Sequence, residues 1–394
     1  MKLLWVKSDF LHPTTRGGQI RTLEMLRRLH RNHEVHYVAF DDPAQPEGLA
    51  RCHEYCYKAY PVTHRVPAKT SPAFALQLIG GLFSHLPVAV SRYRSSAMRR
   101  QVEALVSQHK FDSVVCDFLF PAPNIPQLED CVLFQHNVES MIWQRYVEHA
   151  TGLKRLYFRL QAARMLAYEG EVCRSVRKVI AVSEGDAETM RTLYGAARAY
   201  PIPTGVDLDY FAPPKPDAPK LADLIFLGSM DWMPNIDGAA WFVREVLPLI
   251  RRRRPDCSLA IVGRRPVPKI SRLAESDARI TVTGTVPDVR PWLFGTLASI
   301  VPLRVGGGTR LKIYEAMAAR VPVVSTNIGA EGLDVGDGEN IYLADTPQDF
   351  ADRCLALLDS ESERERLASN AWNLVASNYS WDAVTRGMER LLFE

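Results

Sequence analysis

The residues whose types and spacing are best suited to chemistry lie in the run PLRVGGGTRLKIYEAMA, which starts at Pro302. An apolar strand ends there, Gly306, Gly307 and Gly308 let the backbone come close to a ligand, and a helix opens at Thr309. Unpaired amides and the positive end of a helix make such a turn an anion site. Arg310 and Lys312 add fixed positive charge, and Glu315, three residues after Lys312, shares its helix face. Two cations beside one carboxylate suit a nucleotide diphosphate: Arg and Lys hold the phosphates while Glu accepts from ribose hydroxyls. A solvated helix start with a Lys–Glu pair is the plainer reading. Three consecutive glycines argue against it, because each costs conformational entropy.

Three further features are weaker. Gly17-Gly18 follows the first apolar run without the GxGxxG spacing or a Walker lysine. It reads as a plain tight turn or as a second wall of a phosphate site. His136, in LFQHNVE, sits at a strand end, where functional side chains gather, but an isolated histidine there serves structure as readily. Arg92, Tyr93, Arg94, Arg99 and Arg100 mix cations with an aromatic ring. They form either a solvated face or a contact to an anionic acceptor or lipid surface.

These residues need elements to hold them. Lys2–Lys7 reads as a buried strand, Ile20, Leu23, Leu26 and Leu29 recur at helical spacing, and Glu34–Phe40 reads as another strand. Strand, Gly-rich loop, helix, strand is a βαβ unit and implies a parallel sheet. Ser113–Cys116, Val132–Phe134 and Lys178–Val182 are further strands, with a long helix over Leu153–Val176 before the last. Six prolines between Pro201 and Pro219 mark a domain boundary. Beyond it, strands over 224–227, 258–262, 279–283, 297–302 and 321–325 alternate with helices over Gly238–Arg251 and Thr309–Ala319. Two α/β domains facing each other across a cleft follow, with ligands at the carboxyl ends of their strands.

Composition narrows the function class. Residues 1–200 carry 26 Lys/Arg against 19 Asp/Glu, residues 201–394 carry 22 against 26, and all ten histidines lie at or before His149. The overall charge of +3 excludes a strong polyanion binder on bulk charge alone. Seven scattered cysteines without a CxxC pair suggest reduced thiols in a cytoplasmic compartment, not a disulfide scaffold or a zinc site. The apolar stretch Ala73–Val90 contains Gln77, Gly80, Gly81, His85 and Pro87, which suits a buried or surface-docking helix better than a membrane span.

Together GGGTRLKIYEAMAARVPVVST, FLGSMDWMPNIDGAAWF, IPTGVDLDYF and VTGTVPDVRPWL resemble family 4 glycosyltransferases of the GT-B fold. The chain is similar to bacterial exopolysaccharide and PEP-CTERM-associated sugar transferases. The resemblance implies two Rossmann-like domains with parallel sheets, 1–203 plus 378–394 on the acceptor side and 220–377 for the nucleotide sugar, joined by a linker over 204–219. It implies a retaining, metal-independent transfer from a UDP- or GDP-sugar to a polysaccharide, glycolipid or other cell-envelope acceptor, with no cofactor and no nucleic acid. Arg310 and Lys312 would neutralise the leaving diphosphate and Glu315 would bind ribose. Gly306, Gly307, Gly308 and Thr309 would line the donor phosphates. Gly284, Val286 and Pro287 would meet the base, and Gly17 and Gly18 would approach the phosphate. His136 would contact the sugar, with Arg92, Tyr93 and Arg94 on the acceptor side. A cytoplasmic enzyme at the inner face of a membrane fits these roles.

Two departures stand out. The first carboxylate of the family's paired glutamates is Gly307, and the usual Arg and Lys after the first strand of the second domain are Ser229 and Asn235. An inactive nucleotide-sugar-binding partner and a GT-B epimerase are the competing readings.

Overall fold

In Lys2–Val6 (β1) the residues Leu3 to Val6 are all fully buried, the signature of a strand covered on both faces. The computed structural model describes residues 1–14, 16–64, 81, 84–214, 219–305 and 311–394. Gly306, Gly307, Gly308, Thr309 and Arg310, and most of Ala73–Val90, lie outside the described residues. The chain divides into one unit of Met1–Pro203 with Val384–Glu394, and a second of Thr204–Ala383.

The first unit is built on β1, Glu34–Asp41 (β2), Lys58–Thr63 (β3), Ser113–Asp117 (β4), Cys131–Phe134 (β5), Lys178–Ala181 (β6) and Ala199–Pro201 (β7). Their order is β3-β2-β1-β4-β5-β6-β7, every pairing is parallel, and the winding reverses between β1 and β4. The helix Gly17–Asn32 follows β1 and buries Leu23, Met25, Leu26 and Leu29. Ile20, expected on that stripe, is 45% exposed. Arg21 turns inward instead, because its guanidinium donates to the carbonyls of Gln135 (3.0 Å), Ala181 (3.4 Å) and Ile202, at the ends of β5, β6 and β7. The C-terminal residues belong here too: Arg177 and Lys178 donate to the carbonyls of Leu392 and Leu391, both at 3.0 Å.

The second unit holds Leu224–Leu227 (β8), Leu259–Val262 (β9), Ile280–Val282 (β10), Ala298–Val301 (β11), Val323–Ser325 (β12) and Tyr342–Leu343 (β13). The order is β10-β9-β8-β11-β12-β13, again all parallel, with the reversal between β8 and β11. Val206 and Phe211 from the proline-rich stretch are buried in this unit's core. The helix expected over Gly238–Arg251 begins earlier, at Met233 with Pro234 in its first turn. It passes through a π turn at Phe242–Val246 into Leu247–Arg253. Pro248, which has no amide hydrogen, sits at the start of that last segment, so the register changes where the helical hydrogen bond is missing.

Both units therefore have the topology that places ligands at the carboxyl ends of the strands flanking the reversal. Among the described residues no helix is long and apolar enough to cross a membrane. All seven cysteines are free thiols.

Candidate functional site

In the first unit the strand ends on either side of the reversal carry a buried polar knot. Asp117, the last residue of β4, accepts from Lys7 Nζ (2.8 Å), Trp5 Nε1 (2.8 Å), Thr22 Oγ1 (2.7 Å) and His136 Nε2 (2.8 Å). Lys7, Asp117 and His136 are 1%, 0% and 8% exposed. Burial alone would raise the Asp117 carboxyl, but Lys7 and His136 beside it hold it well below the usual carboxylate range. Burial outweighs the attraction of Asp117 on His136 and lowers that imidazole to about 3. The ring is therefore neutral near pH 7. Because Asp117 accepts the hydrogen bond from Nε2–H, Nδ1 carries the lone pair, and among the described residues it has no hydrogen-bond partner.

Packing orients that ring. His136 stacks on Phe118 at 4.0 Å between centroids and meets Phe134 edge-on at 4.5 Å. Phe118 itself holds φ +69, a backbone conformation that non-glycine residues seldom adopt. Gly18 lies against this stack: a Cβ there would stand 2.7 Å from the Phe118 ring and 3.6 Å from His136 Nδ1. Gly17 has open space around it, so the pair is asymmetric, one glycine needed for close approach and the other free. The loop after His136 is anchored by buried Glu169, which accepts the amides of Glu139 (2.9 Å) and Ser140 (2.7 Å) and the Tyr194 hydroxyl (2.7 Å).

Beyond the ends of β1 and β2 is a cavity of about 370 Å³ whose walls include Asp9, Phe10, His12, Gln19, Phe40 and Asp41. Gln19 Nε2 donates to Asp9 Oδ2 at 2.9 Å, and burial raises the Asp9 carboxyl against the opposing pull of Lys7 and Arg16. Carboxylates and an amide beside aromatic rings are the chemistry that holds polyols. Tyr93 packs between Phe40 and Phe120, with Arg92 over its ring at 5.7 Å and Arg94 exposed. Phe40 thus connects the expected acceptor-side residues to this cavity.

In the second unit Lys312 and Glu315 lie on the helix Leu311–Ala318. Lys312 Nζ donates to Asn235 Oδ1 (2.9 Å) and sits over the Phe226 ring at 4.9 Å. Burial raises the Glu315 carboxyl, with Lys312 opposing it, and among the described residues no hydrogen bond engages that carboxyl. Gly228, just past β8, is where these side chains converge. A Cβ there would stand 2.5 Å from Asn235 Nδ2 and 3.0 Å from Lys312 Nζ, while one on Gly263 would stand 1.6 Å from the Gly228 carbonyl oxygen. Gly284, at φ +69 in the turn after β10, faces open space, and Val286 beside it is half-buried while Pro287 is exposed.

The residues that spacing alone misses are the supporting ones. Lys7 at the end of LLWVK was a visible oddity, a charge closing an apolar strand, but its partner Asp117 is 110 residues away. The chain also holds one Asp-x-Asp spacing, Asp207-Leu208-Asp209. There Asp207 Oδ1 accepts the Tyr210 amide at 2.9 Å and closes a turn. No group of His, Cys, Asp and Glu suited to a metal ion occurs among the described residues.

Comparison with known proteins gives this architecture a family. The sequence profile of Glycosyltransferase Family 4 matches residues 15–210, and that of Glycosyl transferases group 1 matches residues 222–360. A protein of Klebsiella pneumoniae named "Uncharacterized 44.6 kDa protein in cps region" is 21% identical, over 96% of each chain. The "Lipopolysaccharide core biosynthesis mannosyltransferase LpsB" of Rhizobium meliloti is 31% identical over 47% of this chain and 57% of its own. Among solved structures, Anabaena Alr3699/HepE in complex with UDP superposes with a TM-score of 0.66 at 15% identity, over 100% of this chain and 99% of that one. WaaG, a glycosyltransferase involved in lipopolysaccharide biosynthesis, gives 0.60 at 14% identity over 99% of both. With one profile on each α/β unit and the same fold end to end, the chain belongs to the family 4, group 1 glycosyltransferases of the GT-B fold.

Proposed function

We propose that the chain moves a sugar from a UDP- or GDP-linked donor to a hydroxyl of a polysaccharide, glycolipid or other cell-envelope glycan, without a metal ion and with retention at the anomeric carbon. The observation that carries this reading is Lys312, tied by Asn235 at the carboxyl end of β8 and three residues from Glu315, whose carboxyl has no hydrogen bond among the described residues. As the bond from the anomeric carbon to the phosphate oxygen breaks, negative charge grows on the diphosphate. Lys312, with Arg310 beside it in sequence, opposes that charge, the electrostatic help such a step needs. Glu315 takes the ribose hydroxyls, and the turn Gly284, Val286 and Pro287 meets the base. Gly17 and Gly18 serve the first unit's approach to the donor. Neutral His136 offers Nδ1 as an acceptor to a sugar hydroxyl. The departing phosphate oxygen takes the acceptor's proton on the same face as the new bond forms, so no pair of catalytic carboxylates is required.

Relatives support the donor class and the setting. HepE has been solved with UDP and with UDP-glucose, and LpsB is named for lipopolysaccharide core synthesis. The test is a thermal-shift panel of UDP, GDP, ADP and dTDP with and without EDTA, followed by turnover of the matching sugar nucleotides. A ligand that binds only the folded chain raises its melting point by mass action. The expected result is a shift by one diphosphate that EDTA leaves unchanged, and transfer to a hydroxyl acceptor. Binding without turnover on any acceptor would favour an inactive partner. Interconversion of the sugar nucleotide itself would favour an epimerase.

A bilayer surface is the second element of this reading. The helix Gly152–Ser175 begins with Leu153 and Leu156 at 87% and 66% exposure, among Lys154, Arg155 and Arg159, and no Asp or Glu falls between Thr151 and Tyr168. Apolar side chains ringed by cations suit an anionic membrane. The chain is expected to sediment with phosphatidylglycerol vesicles and not with phosphatidylcholine ones. Replacing Leu153 and Leu156 by Glu should cut the bound fraction about fivefold. Equal binding of the variant would remove this surface from the reading.

A further inference from the structure

We propose that Arg264 is a diphosphate-binding residue of the second unit, acting beside Lys312 over a floor made by Ser229 and Asn235. The proposal rests on the nucleotide-sugar reading above and names a residue that the sequence motifs leave out.

Arg264 follows β9 directly after Gly263 and is exposed. Its Nε donates to Ser229 Oγ at 2.8 Å, and Ser229 Oγ donates in turn to Asp231 Oδ1 at 2.7 Å. The guanidinium is thus fastened at its inner nitrogen alone. Among the described residues no carboxylate pairs with Arg264 and no acceptor engages its two Nη atoms. Its neighbours differ: Arg265 stands 3.5 Å from Asp231, Arg290 is bound by Asp288, and Arg304 is bound by Asp237. A surface arginine that is positioned yet not neutralised keeps its charge and its forked donors for something else.

The same floor fastens Lys312. Lys312 Nζ donates to Asn235 Oδ1 (2.9 Å), and Asn235 Nδ2 donates to the Ser229 carbonyl (2.9 Å). One chain of hydrogen bonds therefore runs from Lys312 through Asn235 and Ser229 to Arg264. It crosses the carboxyl ends of β8 and β9, which are adjacent in the sheet, with β8 flanking the reversal. Ser229 and Asn235 are the two positions that lack the expected Arg and Lys. A neutral hydroxyl and a neutral amide hold the two cations without cancelling charge, where a carboxylate in their place would have cancelled it. Two separated cations, one of them forked, match two linked phosphates better than a single phosphate. Close packing at Gly228 and Gly263 explains how a residue following β9 reaches a position served from β8 in the family pattern.

The test uses the full chain and compares UDP, GDP and inorganic pyrophosphate with the monophosphates UMP and GMP by calorimetry. Arg264→Ala is expected to weaken pyrophosphate and the preferred nucleoside diphosphate about 10- to 100-fold, the range for a charge-assisted hydrogen bond. The corresponding monophosphate should change less than about threefold. Arg264→Lys should recover part of the loss, and Ser229→Ala, which cuts the tether, should give a smaller loss in the same direction. Because Arg264 is exposed, the unliganded melting point serves as the control for folding. Wild-type binding with Arg264→Ala unchanged within twofold would overturn the role of Arg264 and leave the donor reading intact. A wild-type chain that binds none of the diphosphates would overturn both.

Discussion

Lys312→Ala is expected to lower kcat/KM by about 10²- to 10³-fold, the usual cost of removing one preorganised group from a developing anion. On the proposed transfer the loss should fall mainly on kcat, because the charge that Nζ would oppose grows as the glycosidic bond breaks and is largest in the transition state. Preorganisation is what makes the effect large. Nζ is held by Asn235 Oδ1 and lies over the Phe226 ring, so little reorganisation is needed when charge appears. Asn235→Ala keeps the cation but removes this tether, and should cost about tenfold by the same argument. The measurement is steady-state kinetics with the donor identified by the binding panel, together with the melting point of each variant. If Lys312→Ala raises KM and spares kcat, the residue contributes ground-state binding alone. A kcat/KM within threefold of wild type would remove it from the chemistry.

Much of this architecture is legible from residue patterns, and the misses have physical causes. Buried parallel strands such as Leu3–Val6 and Leu224–Leu227 declare themselves as short apolar runs bounded by turns. β3 and β7 do not, because they are the edge strands of the first sheet and carry Pro61 and Pro201, residues a central strand would exclude. β13 has two residues and no period to read. Within the site, His136 and Lys312 are visible because local spacing puts them at a strand end and a helix start. Asp117, Arg21 and Arg264 are not, because their meaning comes from partners brought near by sheet order: Lys7 for Asp117, the carbonyls ending β5 to β7 for Arg21, and Ser229 for Arg264. A one-dimensional pattern records which residue opens a helix. It does not record which distant carboxylate fixes a tautomer.

That tautomer gives the second large expectation. Asp117→Ala is expected to cost about 3–5 kcal/mol in urea denaturation, because it leaves the ammonium of Lys7, 1% exposed, without its counter-ion. The donors of Trp5, Thr22 and His136 are orphaned as well. Lys7→Met combined with Asp117→Leu removes both charges together and should be more stable than Asp117→Ala, since a matched apolar pair no longer pays the desolvation penalty. Acid dependence separates the histidine from the ion pair. His136 is lowered to about 3 in the fold against about 6.5 unfolded, so between those values the unfolded chain binds the extra proton. Its contribution is fully present above pH 6.5 and is lost as pH falls, about 2 kcal/mol by pH 5. Asp117, also held low, is lost only below its ordinary value near 3.8, so the two windows are distinct. His12 shifts the same way as His136, while Glu139, raised to about 7, acts in the opposite sense. The difference between wild type and His136→Gln therefore isolates the one ring: the two should converge as pH falls from 6.5 to 5. Parallel curves would mean that His136 is charged in the fold and that Asp117 holds an imidazolium. In the double apolar variant, recovered stability with kcat still low would show that Asp117 acts by keeping the Nε2 proton and turning Nδ1 to the sugar, and recovery of both would show that it does not.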